Sequence, residues 1–187
     1  MLKSINKDPK QKAMVLFVIK AILLYIFWFI SYDYFIAPNQ KVDQYLNFRV
    51  ATDAGMVLDL LGYEGSTRPG NLQTLVCIQE QTVVGVGNPC NGLELFVLFA
   101  GFIICFPGDW KNKWWFILVG SVVIHIINVL RTVSLSLIQY KAPEYLDFNH
   151  HYTFTIVVYS IIFILWMFWT NRYSRLQELS QPANKEG

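Results

Sequence analysis

The sequence predicts an all-α membrane protein with about four transmembrane helices and a short extracytoplasmic β-hairpin before the second helix. Of the 187 residues, 54% are hydrophobic and 16% are aromatic, and the mean hydropathy is positive. This composition is typical of a bilayer-embedded chain and far from that of a soluble domain of similar size. The net charge of +2 is small, and the basic residues lie in short flanks beside apolar runs. This distribution argues against nucleic acid as a partner, and we interpret residues 1–187 as a single integral membrane domain.

Four apolar stretches are candidates for crossing a hydrocarbon core of about 30 Å, which requires about 20 helical residues. Interfacial tryptophan and tyrosine residues mark their ends. The first stretch follows a basic segment, as a signal peptide would, but it is about twice as long as a signal core and lacks a small-residue cleavage site. We therefore predict a retained anchor. The second stretch is short and needs residues from its flanks. The predicted spans are 14–36, 91–107, 114–139 and 152–170.

The positions of lysine and arginine predict the topology. These residues are enriched in the cytoplasmic flanks of transmembrane helices, and here they cluster before span one, between spans two and three, and after span four. We therefore expect a multi-pass protein of the cell inner (cytoplasmic) membrane with both termini cytoplasmic. The segment 37–90 and the link 140–152 then lie outside, and the polar tail 177–187 is expected to be disordered. The basic flanks comprise Lys3, Lys7, Lys10, Lys12, Lys111, Lys113, Arg172 and Arg175.

The extracytoplasmic segment carries its own secondary structure. Apolar residues recur at helical spacing over 42–61, which predicts a helix along the membrane interface. A break follows at 67–70, with the sequence Thr-Arg-Pro-Gly. Residues 72–78 and 82–86 are rich in β-branched side chains and flank a turn, which indicates a hairpin. This hairpin is expected to deliver the chain to Cys90.

Cys90 is the candidate nucleophile. Asn88 suits a helix N-cap and Pro89 suits the first helical position, so we expect Cys90 in the first turn of span two. Unsatisfied backbone N–H groups and the helix dipole favour a thiolate there. Three cysteines leave at least one thiol unpaired, and we assign Cys77 and Cys105 to packing. The alternative is that Cys90 is a small side chain packed at a helix start.

Arg131 lies inside span three, where an unpaired charge costs several kcal/mol. It is about 12 Å below the end of the helix at Gln139, a depth from which its long side chain reaches the outer interface. Arg131 borders a polar face of the same helix, and we expect that face to be buried against other helices. The alternative is a snorkelling arginine that only marks the interface. The polar face comprises Ser121, His125, Asn128, Thr132 and Gln139.

His150 and His151 lie where the outer link becomes span four. The predicted topology places them on the same side of the membrane as Cys90 and near Arg131. A neutral imidazole within hydrogen-bond reach of a thiol can take its proton and later return it to a leaving amine. The alternative is that these histidines are simply amphipathic interfacial residues. The cysteine spacing suggests no metal site, and we predict neither a metal nor a cofactor.

The order of these residues resembles a known family. Cys90-Asn-Gly-Leu begins one helix on the outer side, Asn128-Val-Leu-Arg131 lies within the next, and a histidine begins the one after. This is similar to the exosortase/archaeosortase family, whose pattern is a Cys-Ser-Gly-type motif, an Asn-x-x-Arg motif and a downstream histidine on successive transmembrane helices. The resemblance covers residues 83–169 and is closest to the compact exosortase F branch.

The match departs from the family pattern at three points. Asn91 stands where a serine is usual, Pro89 stands where a small residue is usual, and a glycine often found four residues after the histidine is absent. If Thr155 takes the place of that glycine, His151 is the equivalent histidine. If Phe154 does, it is His150. We favour the first alignment slightly and keep both histidines as candidates.

The resemblance implies a membrane-embedded cysteine protease or transpeptidase that cleaves C-terminal transmembrane sorting signals of secreted proteins at the extracytoplasmic face of the lipid membrane. Such a signal consists of a short recognition motif, one transmembrane helix and a basic end. The enzyme would then transfer the new C-terminus to an acceptor, which is an amine or a polysaccharide or lipid carrier. Cys90 would be the nucleophile, Arg131 the cationic partner, and His150 or His151 the proton-transfer residue. The substrate-binding or supporting residues would be Asn128, Asn91 and Gly92.

Two other classes of function compete with this hypothesis. A non-catalytic membrane subunit of a secretion or surface-polymer assembly system would use the polar face of span three to pack against a partner helix, and would tolerate replacement of Cys90. A small transporter would need a polar path through the membrane. Span four offers no such path between Ile156 and Phe168, and this class is disfavoured.

Overall fold

A computed structural model describes residues 9–174 of the protein, except for the side chains of Pro89 and His151. The predicted disordered tail 177–187 lies outside this range. Hydrogen-bonded helices account for most of the described chain, and a small sheet stands between the second and third of the longer ones. The longer helices are α1 (Pro9–Ser31), α2 (Lys41–Leu60), α3 (Leu93–Cys105), α4 (Trp110–Lys141) and α5 (Phe154–Arg172), and the strands are β1 (Gly65–Pro69), β2 (Thr74–Ile78) and β3 (Gln81–Val86).

Within residues 9–174, three helical segments are long and apolar enough to cross a membrane, and they are built on α1, α4 and α5. The first continues through a π-helical turn, Tyr32–Ile36, and a further short turn to Asn39. It ends at Gln40, whose φ of 53° is left-handed. A second π-helical turn, Asn149–Thr153, precedes α5. These helices correspond to the predicted spans one, three and four.

The predicted second span, 91–107, is shorter than expected. α3 has 13 residues, which gives about 20 Å of helix against a hydrocarbon core of about 30 Å. Its start is limited by Gly92, whose φ of 84° is left-handed. Its end is limited by Phe106, which is extended because the α conformation is disfavoured before Pro107. Helix length therefore supports three spans and does not support the expected count of four.

The predicted hairpin is present, but it belongs to a three-stranded antiparallel sheet in the order β1-β2-β3. The β2–β3 turn is formed by Gln79 and Glu80, which both have positive φ, as a type I′ hairpin turn requires. β1 pairs with β2 from Gly65 opposite Ile78 to Pro69 opposite Thr74. The predicted break at 67–70 was wrong in part, because an edge strand tolerates a terminal proline.

Helix α2 is not isolated on the membrane interface, because the sheet and α4 cover one of its faces. Val50, Ala51, Ala54 and Leu58 are fully buried there. They form one core with three residues of the sheet and two of α4. We refer to residues 41–86 as the α2/sheet unit. The sheet and α4 residues of this core are Val76, Ile78, Val86, Val129 and Val133.

A second, aromatic core joins α3, α4 and α5. Phe99, Phe116 and Trp169 are buried in it, together with isoleucine and valine side chains of the same helices. α1 contributes no buried residue. It rests on α3 through Phe17, whose ring lies 5.4 Å from that of Phe102. The α4 helix thus belongs to both cores, and it fixes the α2/sheet unit to the helical bundle.

The closest approach between α2 and β1 yields a stability prediction. A Cβ on Gly65 would overlap the carbonyl oxygen of Gly55 and would lie 2.7 Å from Leu58 Cβ and 2.8 Å from the backbone nitrogen of Asp59. Backbone cannot move aside cheaply, so we expect Gly65→Ala to lower the free energy of unfolding of the α2/sheet unit by about 1–3 kcal/mol. The measurement is the rate at which a thiol reagent modifies the buried Cys77 in detergent, with Cys90 and Cys105 replaced by alanine.

Gly87→Ala is the matched control for this change. Gly87 is extended, and the nearest atom to its Cβ position, Gln73 Cβ, is 3.8 Å away. We expect the Gly87→Ala rate to match that of the parent protein. Equal rates for the two alanine variants would contradict the packing described for β1.

Candidate functional site

Cys90 ends a single 3₁₀ turn, Asn88–Cys90, which connects β3 to α3. Its backbone N–H donates to the carbonyl of Gly87 at 2.8 Å, and the residue is partly exposed. Asn91 and Gly92 separate it from the start of α3. The prediction that Cys90 lies in the first turn of the helix was therefore wrong, since the left-handed Gly92 breaks the helical path between them. Cys90 therefore lies outside the first turn of α3, where the helix dipole would stabilise a thiolate most strongly.

His150 is brought to Cys90 by the π-helical turn before α5. The distance between Cys90 Sγ and His150 Nε2 is 3.7 Å, a contact between two side chains that are 60 positions apart in the chain. Which atom donates depends on the tautomer of the imidazole. π-Helical turns are rare, and they occur frequently at functional sites. The side chain of His151 lies outside the described part of the structure, so its role stays a prediction.

Asn128 and Gly92 hold the backbone around Cys90. The side chain of Asn128, on α4, is 1% exposed and donates from Nδ2 to the carbonyl oxygen of Cys90 at 2.9 Å. A Cβ on Gly92 would stand 3.2 Å from the same nitrogen. Gly92 is therefore required twice, for its positive φ and for the close approach of Asn128. The predicted polar face of span three is buried here, as expected: Thr132 is also buried and donates to the Asn128 carbonyl at 3.0 Å.

Asn91 is completely buried, and both ends of its amide are used. Oδ1 accepts from the backbone N–H of Leu93 at 2.9 Å, which caps the start of α3. Nδ2 donates to Oδ1 of Asp43 at 2.7 Å. Asp43 belongs to α2, is 1% exposed, and also accepts a hydrogen bond of 3.4 Å from the Tyr32 hydroxyl of the π-helical turn after α1. Three separate parts of the chain thus meet beside Cys90.

The sequence analysis did not single out Asp43 or Asn47. Asn47 is fully buried and donates from Nδ2 to Asn88 Oδ1 at 3.3 Å, so it ties α2 to the 3₁₀ turn. A signal was available in the helical spacing. Asp43 and Asn47 continue, at four-residue intervals, the stripe that runs on through Ala51 and Ala54 of α2. Two polar residues in line with a buried face require buried partners.

Arg131 faces a cavity of about 160 Å³ between α3, α4 and α5. Its guanidinium Nε is buried, and within residues 9–174 it has no hydrogen-bond partner. Cys90 itself is not in the cavity wall, although Asn88 and Gly92 on either side of it are. The cationic side chain is therefore available to a group that enters the cavity. The other lining residues are Glu94, Leu95, Thr155, Val158 and Tyr159.

His125 takes part in a different arrangement. Its Nε2 lies 2.8 Å from Asp53 Oδ2, and Arg49 approaches the other oxygen of the same carboxylate at 3.6 Å. The pair joins α4 to α2, and His125 is therefore a hydrogen-bonded packing residue of this contact. Residues 9–174 contain no group of three or more His, Cys, Asp or Glu residues that could hold a metal ion.

A thiol in contact with an imidazole, next to a cavity with a free guanidinium donor, is an arrangement suited to acyl transfer. The imidazole can exchange a proton with the thiol. The guanidinium can bind a developing negative charge in a confined space where water competes less. The hydrogen bonds of Asn128 and Asn91 fix the position of the thiol, which a chemical step of this kind needs.

The buried Asp43–Asn91 bond yields a second prediction. Asp43→Ala leaves the Nδ2 donor of Asn91 buried without its partner, which costs about 1–3 kcal/mol. We expect a corresponding fall in the midpoint of thermal unfolding in detergent, measured by loss of soluble protein on heating. Asp59→Ala is the matched control, because Asp59 lies on the same helix and is exposed. A midpoint for Asp43→Ala equal to that of Asp59→Ala would rule out a structural contribution from this bond.

Comparison with protein families identified a family model that matches this chain. The model of the transmembrane exosortase family (Exosortase_EpsH) matches residues 11–169, which is most of the chain and includes every site residue described above. No curated protein and no solved structure gave a match.

Proposed function

The chain belongs to the transmembrane exosortase family, and from this premise we propose that it is a membrane-embedded cysteine transpeptidase acting on secreted proteins that carry C-terminal sorting signals. The observation that supports this most directly is the 3.7 Å contact between Cys90 Sγ and His150 Nε2. It joins the two residue types that a cysteine acyl transferase needs, at the edge of a cavity lined by Arg131.

In the proposed reaction, Cys90 is the nucleophile and His150 the proton carrier. The sulfur attacks the carbonyl carbon of the scissile peptide bond as the thiol proton passes to the imidazole. The C–N bond then breaks, the imidazole proton leaves with the new amine, and the acyl group stays on sulfur as a thioester. An acceptor attacks the thioester carbonyl and gives its proton to the imidazole, which returns it to the released thiolate. Water as acceptor gives hydrolysis, and an amine or a carrier hydroxyl gives transfer.

Arg131 would stabilise the negative charge that develops on the carbonyl oxygen or on the sulfur. Its place in the wall of a confined cavity supports this role, because a fixed positive charge stabilises an oxyanion more strongly where water competes less. Asn128 would support the site by holding the Cys90 carbonyl. Asn91 and Gly92 would set the direction of the turn that presents the thiol.

Two arguments about the histidines conflict. The 3.7 Å contact with Cys90 Sγ supports His150, whereas the alignment that places Thr155 at the family glycine supports His151. Thr155 lines the Arg131 cavity, where a residue without a side chain would leave more room. We propose His150 as the proton carrier.

For the topology, we propose both termini in the cytoplasm, with Cys90 and the α2/sheet unit at the extracytoplasmic face of the inner membrane. The basic flanks support this orientation. α3 would cross the membrane as a fourth, short span, with residues on either side of the helix completing the crossing. The aromatic-rich α5 supports the compact exosortase F branch as the proposed branch.

The first functional prediction concerns the thiol. In a deletion strain complemented with Cys90→Ala or Cys90→Ser, we expect the variant protein to reach the membrane and the processing of sorting-signal proteins to fall on the order of 10⁴-fold, because the nucleophilic thiol is removed. The measurement is the size and membrane retention of those proteins on immunoblots.

Cys105→Ala is the matched control, because Cys105 is buried in α3 and outside the proposed reaction. We expect normal processing with this variant. Normal processing with alanine at position 90 would instead favour a non-catalytic membrane subunit of a secretion or surface-polymer assembly system.

The second functional prediction separates the two histidines. His150→Ala removes the imidazole that contacts the sulfur, so we expect processing to fall by about 10²–10⁴-fold. His151→Ala serves as its neighbour control and is expected to process at the parental rate. The measurement is the initial rate of substrate conversion in membranes that contain equal amounts of each variant. The reverse pattern would assign the proton transfer to His151.

A further inference from the structure

A second, larger cavity adjoins the Arg131 cavity. This one has a volume of about 570 Å³ and lies between α1, α3 and α5. Glu94, Leu95 and Tyr159 line both. The two spaces therefore meet along one common wall beside the turn that carries Cys90. We call the second space the α1/α3 groove. Its wall on α1 and the π-helical turn that follows includes Phe17, Leu24, Tyr25, Trp28, Phe29 and Asp33.

The groove exists because α1 packs closely at only part of its length. Phe17, near its start, has its ring 5.4 Å from that of Phe102 and 5.1 Å from that of Phe106. At Gly101 the two helices are so close that a Cβ would stand 2.9 Å from Leu24. Beyond Leu24, the side chains of Tyr25, Trp28 and Phe29 line the groove, and Phe29 is 56% exposed.

The dimensions of the groove match one face of a helix. From Phe17 to Asp33, the wall formed by α1 and the turn that follows it is about 24 Å long, most of the thickness of a hydrocarbon core. A volume of about 570 Å³ is too small for a whole helix but suits the row of large side chains on one of its faces. The wall is mainly apolar, and its charged residues are Asp33 and Glu94.

The charged residues of the groove and its shared lining with the Arg131 cavity indicate what kind of molecule the groove binds. Glu94 lies at the junction with the Arg131 cavity, and Asp33 also lines the groove. Two carboxylates repel the headgroup of an anionic lipid. A polypeptide that ends its path along the groove at Glu94 would lie beside the cavity lined by Arg131. We propose that the α1/α3 groove binds the apolar C-terminal helix of the substrate and delivers the preceding residues to Cys90. This inference rests on the proposed function and assigns the substrate a binding surface.

The test is photo-crosslinking in membranes. The substrate is an epitope-tagged secreted protein from the same cell, chosen because its processing is blocked by Cys90→Ala. In a Cys90→Ala background, p-benzoylphenylalanine replaces Phe29 in the groove or Phe163 on α5. Both positions hold exposed phenylalanines, and Phe163 does not line the groove. We expect a crosslink to the tagged substrate from position 29 and none from position 163.

A filling variant tests the same inference through activity. Leu98 lines the groove and is 43% exposed, and Leu118 on α4 is exposed and lines neither cavity. With Cys90 intact, we expect Leu98→Trp to slow processing by about tenfold or more, and Leu118→Trp to leave it unchanged.

The outcomes separate this inference from the proposed function. If crosslinks from position 29 reach only lipid, or if positions 29 and 163 capture substrate equally, the groove is not the binding surface. Normal processing by Leu98→Trp leads to the same conclusion. The proposed function would still stand in those cases, because it depends on the Cys90 variants alone.

Discussion

The hydrogen bond between Asp43 Oδ1 and Asn91 Nδ2, at 2.7 Å, is the interaction on which the site depends. Both side chains are buried, so neither can exchange its partner for water without opening the structure. Asn91 uses its remaining oxygen to cap α3, and Asp43 also accepts from Tyr32. A single carboxylate therefore sets the relative positions of α2, the start of α3 and the π-helical turn after α1. The turn that carries Cys90 is held between them.

Helix α4 gives the structure its length. Its 32 residues extend about 48 Å, which exceeds a hydrocarbon core by more than half. Phe116 and Ile124 pack in the aromatic core, and Val129 and Val133 pack in the core of the α2/sheet unit. Asn128 lies where the helix passes from the aromatic core to the core of the α2/sheet unit, and Arg131 lies about one turn further along.

The sequence predicted the parts of this protein that follow from composition and local chemistry. Three spanning helices, the β2–β3 hairpin and the burial of the polar face around Asn128 all came from local patterns. Contacts between segments that are distant in the sequence could not be predicted from local patterns. β1 was missed because its glycine and proline are uncommon in strands, and Asp43 was missed because its partner is 48 residues away. The position of Cys90 was wrong by one turn because the left-handed conformation of Gly92 is a tertiary requirement, set by the approach of Asn128.

The π-helical turn Asn149–Thr153 has a consequence for comparing this chain with its relatives. A π-helical turn holds one more residue than an α-helical turn, so side chains after it are rotated by about 100° from their α-helical positions. Counting residues backward from Thr155 across this turn assumes ordinary helix geometry, which the turn does not have. His150 reaches the sulfur with the turn at its present length. In a relative with one residue fewer at this point, a different sequence position would face the sulfur.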